Sequence, residues 1–502
     1  MAIEPDGDHV PQERVPSGIS GLDVVLRGGL LRDGLFIVQG EPGAGKTILG
    51  NQVCFNHVAA GGRALYLTLL AESHARMLMH IGPLGFFDAT VIPSRLAYLS
   101  AFGALEKDGL PGLRDLIRRE VQARGATLLV LDGFAAVLES SDSARTFKKF
   151  VNELQTQATL TGCTILLLTT VSSEPTPPEH TMVDGIIELT SRLYGRHAER
   201  DLQVRKLRGG SYLRGIHSFD ISDRGITVYP RTEAWLTRPA ATDGVGGAPV
   251  STGLTQLDSM MGGGLPRHST TLLVGPTGSG KTTLGLHFLA AVNQDEPALY
   301  FGLYENPAAI LAKANALGLR LDGLRGSGAV ELLWQSTTEG ILDEVCQRLL
   351  DAVRRRGVRR LVIDGLSGFA ALASEPDRLG RVFSALSNEF RTLDVATIYT
   401  AQADAVGATG GQRLNGWSPA AAPGIADSVV IMRFVELRSR LHRMISVLKV
   451  RDRASDPSMH EFSITGIGIS IAPDPAGAEA ILAETTQQPA SGAKRSPRRS
   501  PA

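Results

Sequence analysis

Short runs of consecutive apolar residues alternate along this chain with longer stretches in which apolar positions recur every three or four residues. LFIVQG, ALYLTL, TLLVLDG and TILLLTT punctuate the first half, and TLLVG, ALYFGL, RLVIDG and ATIYTA the second. Between them lie stretches of helical period such as DLIRREVQAR. A strand that is apolar on both sides needs cover on both sides, and helices that alternate with strands supply it in parallel sheets. The pattern predicts an α/β fold built on mainly parallel, twisted sheets with helices on both faces.

The pattern also repeats. SGISGLDVVLRGGL from Ser17 runs on to GLFIVQGEPGAGKT, and STGLTQLDSMMGGGL from Ser251 runs on to STTLLVGPTGSGKT. Leu22 and Leu257, Gly29 and Gly264, Gly40 and Gly275, and Lys46 and Lys281 each lie 235 residues apart. That period is far longer than a solenoid repeat, so it predicts two tandem domains. We place the first at residues 1–238, a Gly/Ala/Pro-rich linker at 239–249 and the second domain at 250–473. Residues 474–502, with Lys494, Arg495, Arg498 and Arg499 among Ser and Pro near the end, read as a disordered basic tail.

Composition narrows the partners. Among 502 residues, 51 Lys plus Arg balance 51 Asp plus Glu, and aromatics make up 5%. Little is left for neutralising nucleic-acid phosphates or stacking on bases, so nucleic acid is disfavoured. The polar N-terminus and the lack of any eighteen-residue apolar run argue against a signal peptide and a membrane span. Cys54, Cys163 and Cys346 form no Cys-x-x-Cys pair, and a cytoplasmic location is expected.

The chemistry sits in two eight-residue motifs. Gly40-Glu41-Pro42-Gly43-Ala44-Gly45-Lys46-Thr47 and Gly275-Pro276-Thr277-Gly278-Ser279-Gly280-Lys281-Thr282 each follow a predicted strand and precede a helical stretch. In such a loop the glycines let backbone N–H groups close round a phosphate at a helix N-terminus, and the lysine adds a point charge. ATP with Mg²⁺ is the expected ligand, with Thr47 and Thr282 on the metal. Asp132 and Asp364, which end apolar strands 86 and 83 residues beyond the loop lysines, are the expected metal-associated acids. Glu72 and Glu305 end the strand that follows the first helix of each half and are candidate bases for activating water.

From Ser17 to Ile471 these residues resemble the KaiC-like ATPases of the RecA superfamily, which carry two RecA-like P-loop NTPase domains in tandem. Beyond the loops, the likeness rests on SGISGLD and STGLTQLD and on two closing segments, KLRGGSYLRGIHSFDISDRGITVYP from Lys206 and LKVRDRASDPSMHEFSITGIGISI from Leu448. The resemblance implies a homo-hexameric double ring with ATP at the subunit boundaries. It also implies that Lys206 and Arg208, and Lys449 and Arg451, reach the γ-phosphate of a neighbouring subunit as trans-acting fingers. The family has two adjacent glutamates after the second strand; here Glu305 is followed by Asn306 and Glu72 is preceded by Ala71.

A signalling ATPase is thus the leading expectation, with a signalling protein as partner. Two alternatives compete with it. For a KaiC-type serine/threonine autokinase, the phosphoacceptor positions implied by the resemblance hold Pro423 and Gly424, which have no hydroxyl, although Ser418 and Ser428 are near. For a nucleic-acid-dependent ATPase, Asp404–Gly424 would supply the central loop. A nucleotide-binding scaffold without turnover is the remaining possibility.

Overall fold

The computed structural model describes residues 13–69, 74–171, 178–194, 196–237, 247–293, 296–338, 340–402, 426–451 and 453–487. The chain divides into two compact units, the first ending at Trp235 and the second beginning at Leu236.

The first unit is organised by a nine-stranded sheet. Its strands are β1 (Leu35–Gly40), β2 (Ala64–Thr68), β3 (Leu96–Ser100), β4 (Leu128–Asp132), β5 (Thr164–Thr169), β6 (Gly185–Tyr194), β7 (His197–Leu207), β8 (Ile216–Ser222) and β9 (Gly225–Tyr229). They lie in the order β3-β2-β4-β5-β1-β6-β7-β8-β9, parallel from β3 to β6 and antiparallel from β6 onward. The second unit has β10 (Thr270–Gly275), β11 (Ala298–Gly302), β12 (Val330–Trp334), β13 (Arg360–Asp364), β14 (Ala396–Gln402), β15 (Ser428–Leu437), β16 (Arg440–Val450), β17 (His460–Thr465) and β18 (Gly468–Ile471). Their order, β12-β11-β13-β14-β10-β15-β16-β17-β18, is the same topology strand for strand.

Alternation along the parallel strands splits each core in two. In the first unit Phe36, Val38, Tyr66 and Val130 face helix Lys46–Ala59, while Leu35, Ile37, Leu65 and Leu67 face helices Phe102–Arg124 and Ala144–Thr161. Side chains as buried as these contribute roughly 1.5–3 kcal/mol each. The sheet is therefore pinned from both sides and its carboxyl edge holds a fixed shape.

The SGISGLD and STGLTQLD segments have a structural purpose. Ser17 donates from Oγ to Asp23 Oδ1 at 2.7 Å, and Thr252 donates from Oγ1 to Asp258 Oδ1 at 2.6 Å. Each aspartate thereby ties the chain into a short helix, Ser20–Val25 or Thr255–Met260, ahead of the first strand.

The structure corrects one expectation from composition. Ala476–Gln487 is a helix, with Ala478 and Ile481 packed on Leu437 and Met444. Its alanine content favours helix, and the spacing of Ala478 and Ile481 gives it an apolar side to bury. The basic residues Lys494 to Arg499 and most of the linker, residues 239–246, lie outside the described residues.

Candidate functional site

Both phosphate loops stand at the carboxyl end of the central strand, between β1 or β10 and the helix that follows, Lys46–Ala59 or Lys281–Ala290. Gly43 and Gly45 take φ of 82° and 103°, and Gly278 and Gly280 take 79° and 107°, a conformation open to glycine. Among the described residues, nothing lies within 4 Å of where a Cβ would project from Gly43 or Gly278, so these residues leave the mouth of each loop open. On the closed side, a Cβ on Gly45 or Gly280 would sit 2.8 Å from Ile221 Cδ1 or Ile464 Cδ1. Lys46 Nζ donates to the Gly40 and Glu41 carbonyls at 2.8 and 2.9 Å, and Lys281 Nζ to those of Gly275 and Pro276 at 2.8 Å each. Burial lowers both ammonium pKa values below the ordinary lysine value, while Asp132 and Asp364 pull the other way.

The expected metal residues come together. Thr47 Oγ1 donates to Asp132 Oδ2 at 3.0 Å, and Thr282 Oγ1 to Asp364 Oδ2 at 2.8 Å. One hydroxyl and one carboxylate beside an open phosphate cradle suit Mg²⁺, which is usually held by few protein ligands together with phosphate oxygens and water.

Sequence reasoning missed a third member. The buried phenols of Tyr66 in β2 and Tyr300 in β11 each donate to that same Oδ2 at 2.7 Å. Burial first, and then the carboxylate's charge, raise both phenol pKa values far above the ordinary range, so each remains a donor. The signal was present in the shared tripeptide Ala-Leu-Tyr of the two strands. At the second site, Thr400 Oγ1 also donates to Asp364, through Oδ1, and accepts from Gly365 N at 2.8 Å; among the described residues the first site has no such third hydroxyl. The strand register places Thr400 beside Asp364 and Leu168 beside Asp132.

Glu305 lies three residues beyond β11, and Lys313 donates to both its oxygens at 2.6 and 2.7 Å. Its charge is among the influences that raise the Tyr300 pKa, which puts it within electrostatic reach of the Asp364 cluster. Asn306, at the second position of the glutamate pair, instead caps helix Pro307–Ala316 by accepting from Ala309 N at 2.9 Å. Glu72 lies outside the described residues.

The two Lys-x-Arg pairs lie toward the other edge of the sheet. Lys206 pairs with Ile186, which pairs with Ile37, three residues before Gly40; Lys449 pairs with Val429, which pairs with Leu272, three residues before Gly275. At ~3.3 Å per residue, each lysine is about 10 Å back along the strand direction from its own loop, and each arginine further still. A bulge with one extra residue, Arg205 or Leu448, precedes each lysine and re-aims it. Lys206 Nζ donates to the His180 carbonyl at 2.8 Å, and Arg208 to that of Thr181 at 2.7 Å. Burial and then Arg208 lower the Lys206 pKa, with Asp184 opposing. Lys449 Nζ donates to the Ala426 carbonyl at 3.1 Å, and Arg451 forms a 2.8 Å ion pair with buried Asp427.

Of the hydroxyls near the implied phosphoacceptor positions, Ser428 is fully buried at the start of β15 and its Oγ has no hydrogen-bond partner among the described residues. It cannot meet a γ-phosphate without the strand opening. Pro423, Gly424, Ser418 and the rest of Asp404–Gly424 lie outside the described residues. No helix among the described residues is long and apolar enough to cross a membrane.

Comparison with known proteins matches this duplicated geometry. The family model "ATPase: KaiC" fits residues 15–233 and again 250–476. The circadian clock oscillator protein KaiC of Rippkaea orientalis is 25% identical over 483 residues, covering 91% of this chain and 88% of that one. Its namesake from Thermostichus vulcanus is 24% identical over 488 residues, with 94% and 92% covered. The one from Synechococcus elongatus is 25% identical over 485 residues, with 93% and 90% covered. With both repeats matched and both phosphate loops complete, this chain belongs to the KaiC family of ATPases.

Proposed function

We propose that this protein is a ring-forming, Mg²⁺-dependent ATPase that holds ATP at its subunit boundaries and relays nucleotide state to a signalling partner in the cytoplasm. The observation that carries this reading is the location of the Lys-x-Arg pairs. Lys206 with Arg208, and Lys449 with Arg451, are set back toward the sheet edge opposite their own phosphate loops. Cations so placed serve the loop of another copy, and a closed ring, a homo-hexamer in this family resemblance, gives every loop one such neighbour.

Each residue then has a task. The residues Gly40–Thr47 and Gly275–Thr282 bind the phosphates through backbone N–H groups, and Lys46 and Lys281 exchange their loop carbonyls for phosphate oxygens. Thr47 with Asp132, and Thr282 with Asp364, hold Mg²⁺, which when bound offsets phosphate charge. Glu305, released from Lys313, orients water and accepts its proton, and Glu72 has that role in the first unit. The trans cations stabilise charge that develops at the γ-phosphate. Burial of Ser428 favours hydrolysis over self-phosphorylation at that hydroxyl.

The test is phosphate release by the purified protein with Mg²⁺ and ATP. Turnover is expected in the wild type and none in Lys46→Ala/Lys281→Ala; unchanged turnover in that double variant contradicts the reading. Label from γ-labelled ATP should leave as free phosphate. Stable transfer to a Ser or Thr that vanishes in Glu305→Gln would favour the kinase alternative.

A further inference from the structure

Two buried tyrosines make the same choice of partner. Tyr66 and Tyr300 could each satisfy a phenol with any acceptor, yet both donate at 2.7 Å to Oδ2 of the metal-associated aspartate, the oxygen that also accepts from Thr47 or Thr282. An ionised carboxylate has about four acceptor positions and turns freely about its Cβ–Cγ bond unless its oxygens are held. Among the described residues, Asp132 has two hydroxyl donors, both on Oδ2, whereas Asp364 has a third, Thr400, on Oδ1. The ring of each tyrosine is fully buried, so phenylalanine would fill the same space and remove the hydroxyl alone.

We propose that Tyr66 and Tyr300 are positioning residues for Mg²⁺ that fix the rotation of Asp132 and Asp364, with Thr400 sharing that task at the second site only. Each tyrosine acts through the carboxylate to which it donates. Partners behind a metal-associated group commonly change metal affinity about 10–100-fold when removed. Asp132 depends on one phenol for this restraint, while Asp364 retains Thr400 after its phenol is lost, so the first site is the more sensitive.

The proposal rests on the Mg²⁺–ATP reading of these loops, and the experiment separates the two. Binding of a fluorescent N-methylanthraniloyl ATP analogue is followed against MgCl₂ and in EDTA, with the other site disabled by Lys281→Ala or Lys46→Ala. Tyr66→Phe should raise the Mg²⁺ concentration for half-maximal tightening about tenfold, and Tyr300→Phe about threefold. Tyr300→Phe/Thr400→Val should reach the tenfold shift, and Leu168→Thr should partly restore Tyr66→Phe. Affinity in EDTA should stay at its parental value, with any fall in Tm from the lost hydrogen bonds the same with and without Mg²⁺. Unmoved Mg²⁺ dependence in both phenylalanine variants, or an equal loss with and without Mg²⁺, would overturn the positioning role. A parent whose binding ignores Mg²⁺ altogether would instead overturn the Mg²⁺–ATP reading beneath it.

Discussion

The two nucleotide sites share one frame and differ in how tightly it is held. Loop, lysine, threonine, aspartate and tyrosine occupy the same strand positions in both units, with the same hydrogen bonds. Around that frame the second site adds Thr400 on its aspartate where the first has Leu168, and sets Arg451 against Asp427 where Arg208, among the described residues, donates to the Thr181 carbonyl. The duplicated parts are those any Mg²⁺–phosphate chemistry requires; the divergent parts lie around the carboxylate and the arginine of the Lys-x-Arg pair. A tandem pair of this kind can run one reaction at two rates.

The largest expected effect would break the comparison if it failed. Arg208→Ala and Arg451→Ala, each with the other loop disabled, should lower phosphate release about 10³-fold under the proposed supply of both arginines to a γ-phosphate in trans. A drop at one site only would mean that the two hairpins do not share a function. Next, Glu305→Gln should lower turnover at the second site about 10²-fold with nucleotide affinity retained, as for loss of a general base. A Gly45→Ala or Gly280→Ala exchange should weaken ATP binding at its own site by at least about tenfold. Both glycines have φ above 100°, and an added methyl would meet an isoleucine at 2.8 Å.

The smallest effect concerns stability. His287 Nε2 accepts from Ile469 N at 2.9 Å, and in the first unit Gln52 Oε1 accepts from Ile226 N at 2.7 Å in the corresponding place. Burial lowers the His287 pKa, so the folded chain keeps the ring neutral. The unfolded chain then binds the extra proton, and stability falls as pH drops from the ordinary histidine pKa toward the lowered one. Between pH 7.5 and 5.5 the Tm should fall, and His287→Gln should reduce that fall by roughly 2 °C. Identical acid sensitivity with and without His287 would show that the two contacts are equivalent.

Much of this was legible in the sequence because it is local. A phosphate loop is eight consecutive residues, a strand-end aspartate closes an apolar run, and a 235-residue offset exposes the duplication. What escaped depends on register. Thr400 lies beside Asp364 only because β13 and β14 pair as they do, and Tyr66 reaches Asp132 across neighbouring strands. Lys313 finds Glu305 because a helix capped by Asn306 turns back between them. Edge strands β3 and β12 carry a weaker apolar signal because they are partly exposed. The helix Ala476–Gln487 was hidden by a composition that also suits an unfolded tail.

The most direct test of trans supply is complementation between two inactive chains, both carrying Lys281→Ala to silence the second site. One also carries Lys46→Ala, which disables its remaining loop, and the other carries Arg208→Ala, which disables its finger. Each alone should be inactive. After mixing and reassembly with ATP, an intact loop from one chain should meet an intact Arg208 from the other at on the order of a quarter of random subunit boundaries, and restore turnover in proportion. No recovery in demonstrably mixed rings, or full activity in the Arg208→Ala chain alone, would contradict trans supply and the ring mechanism built on it.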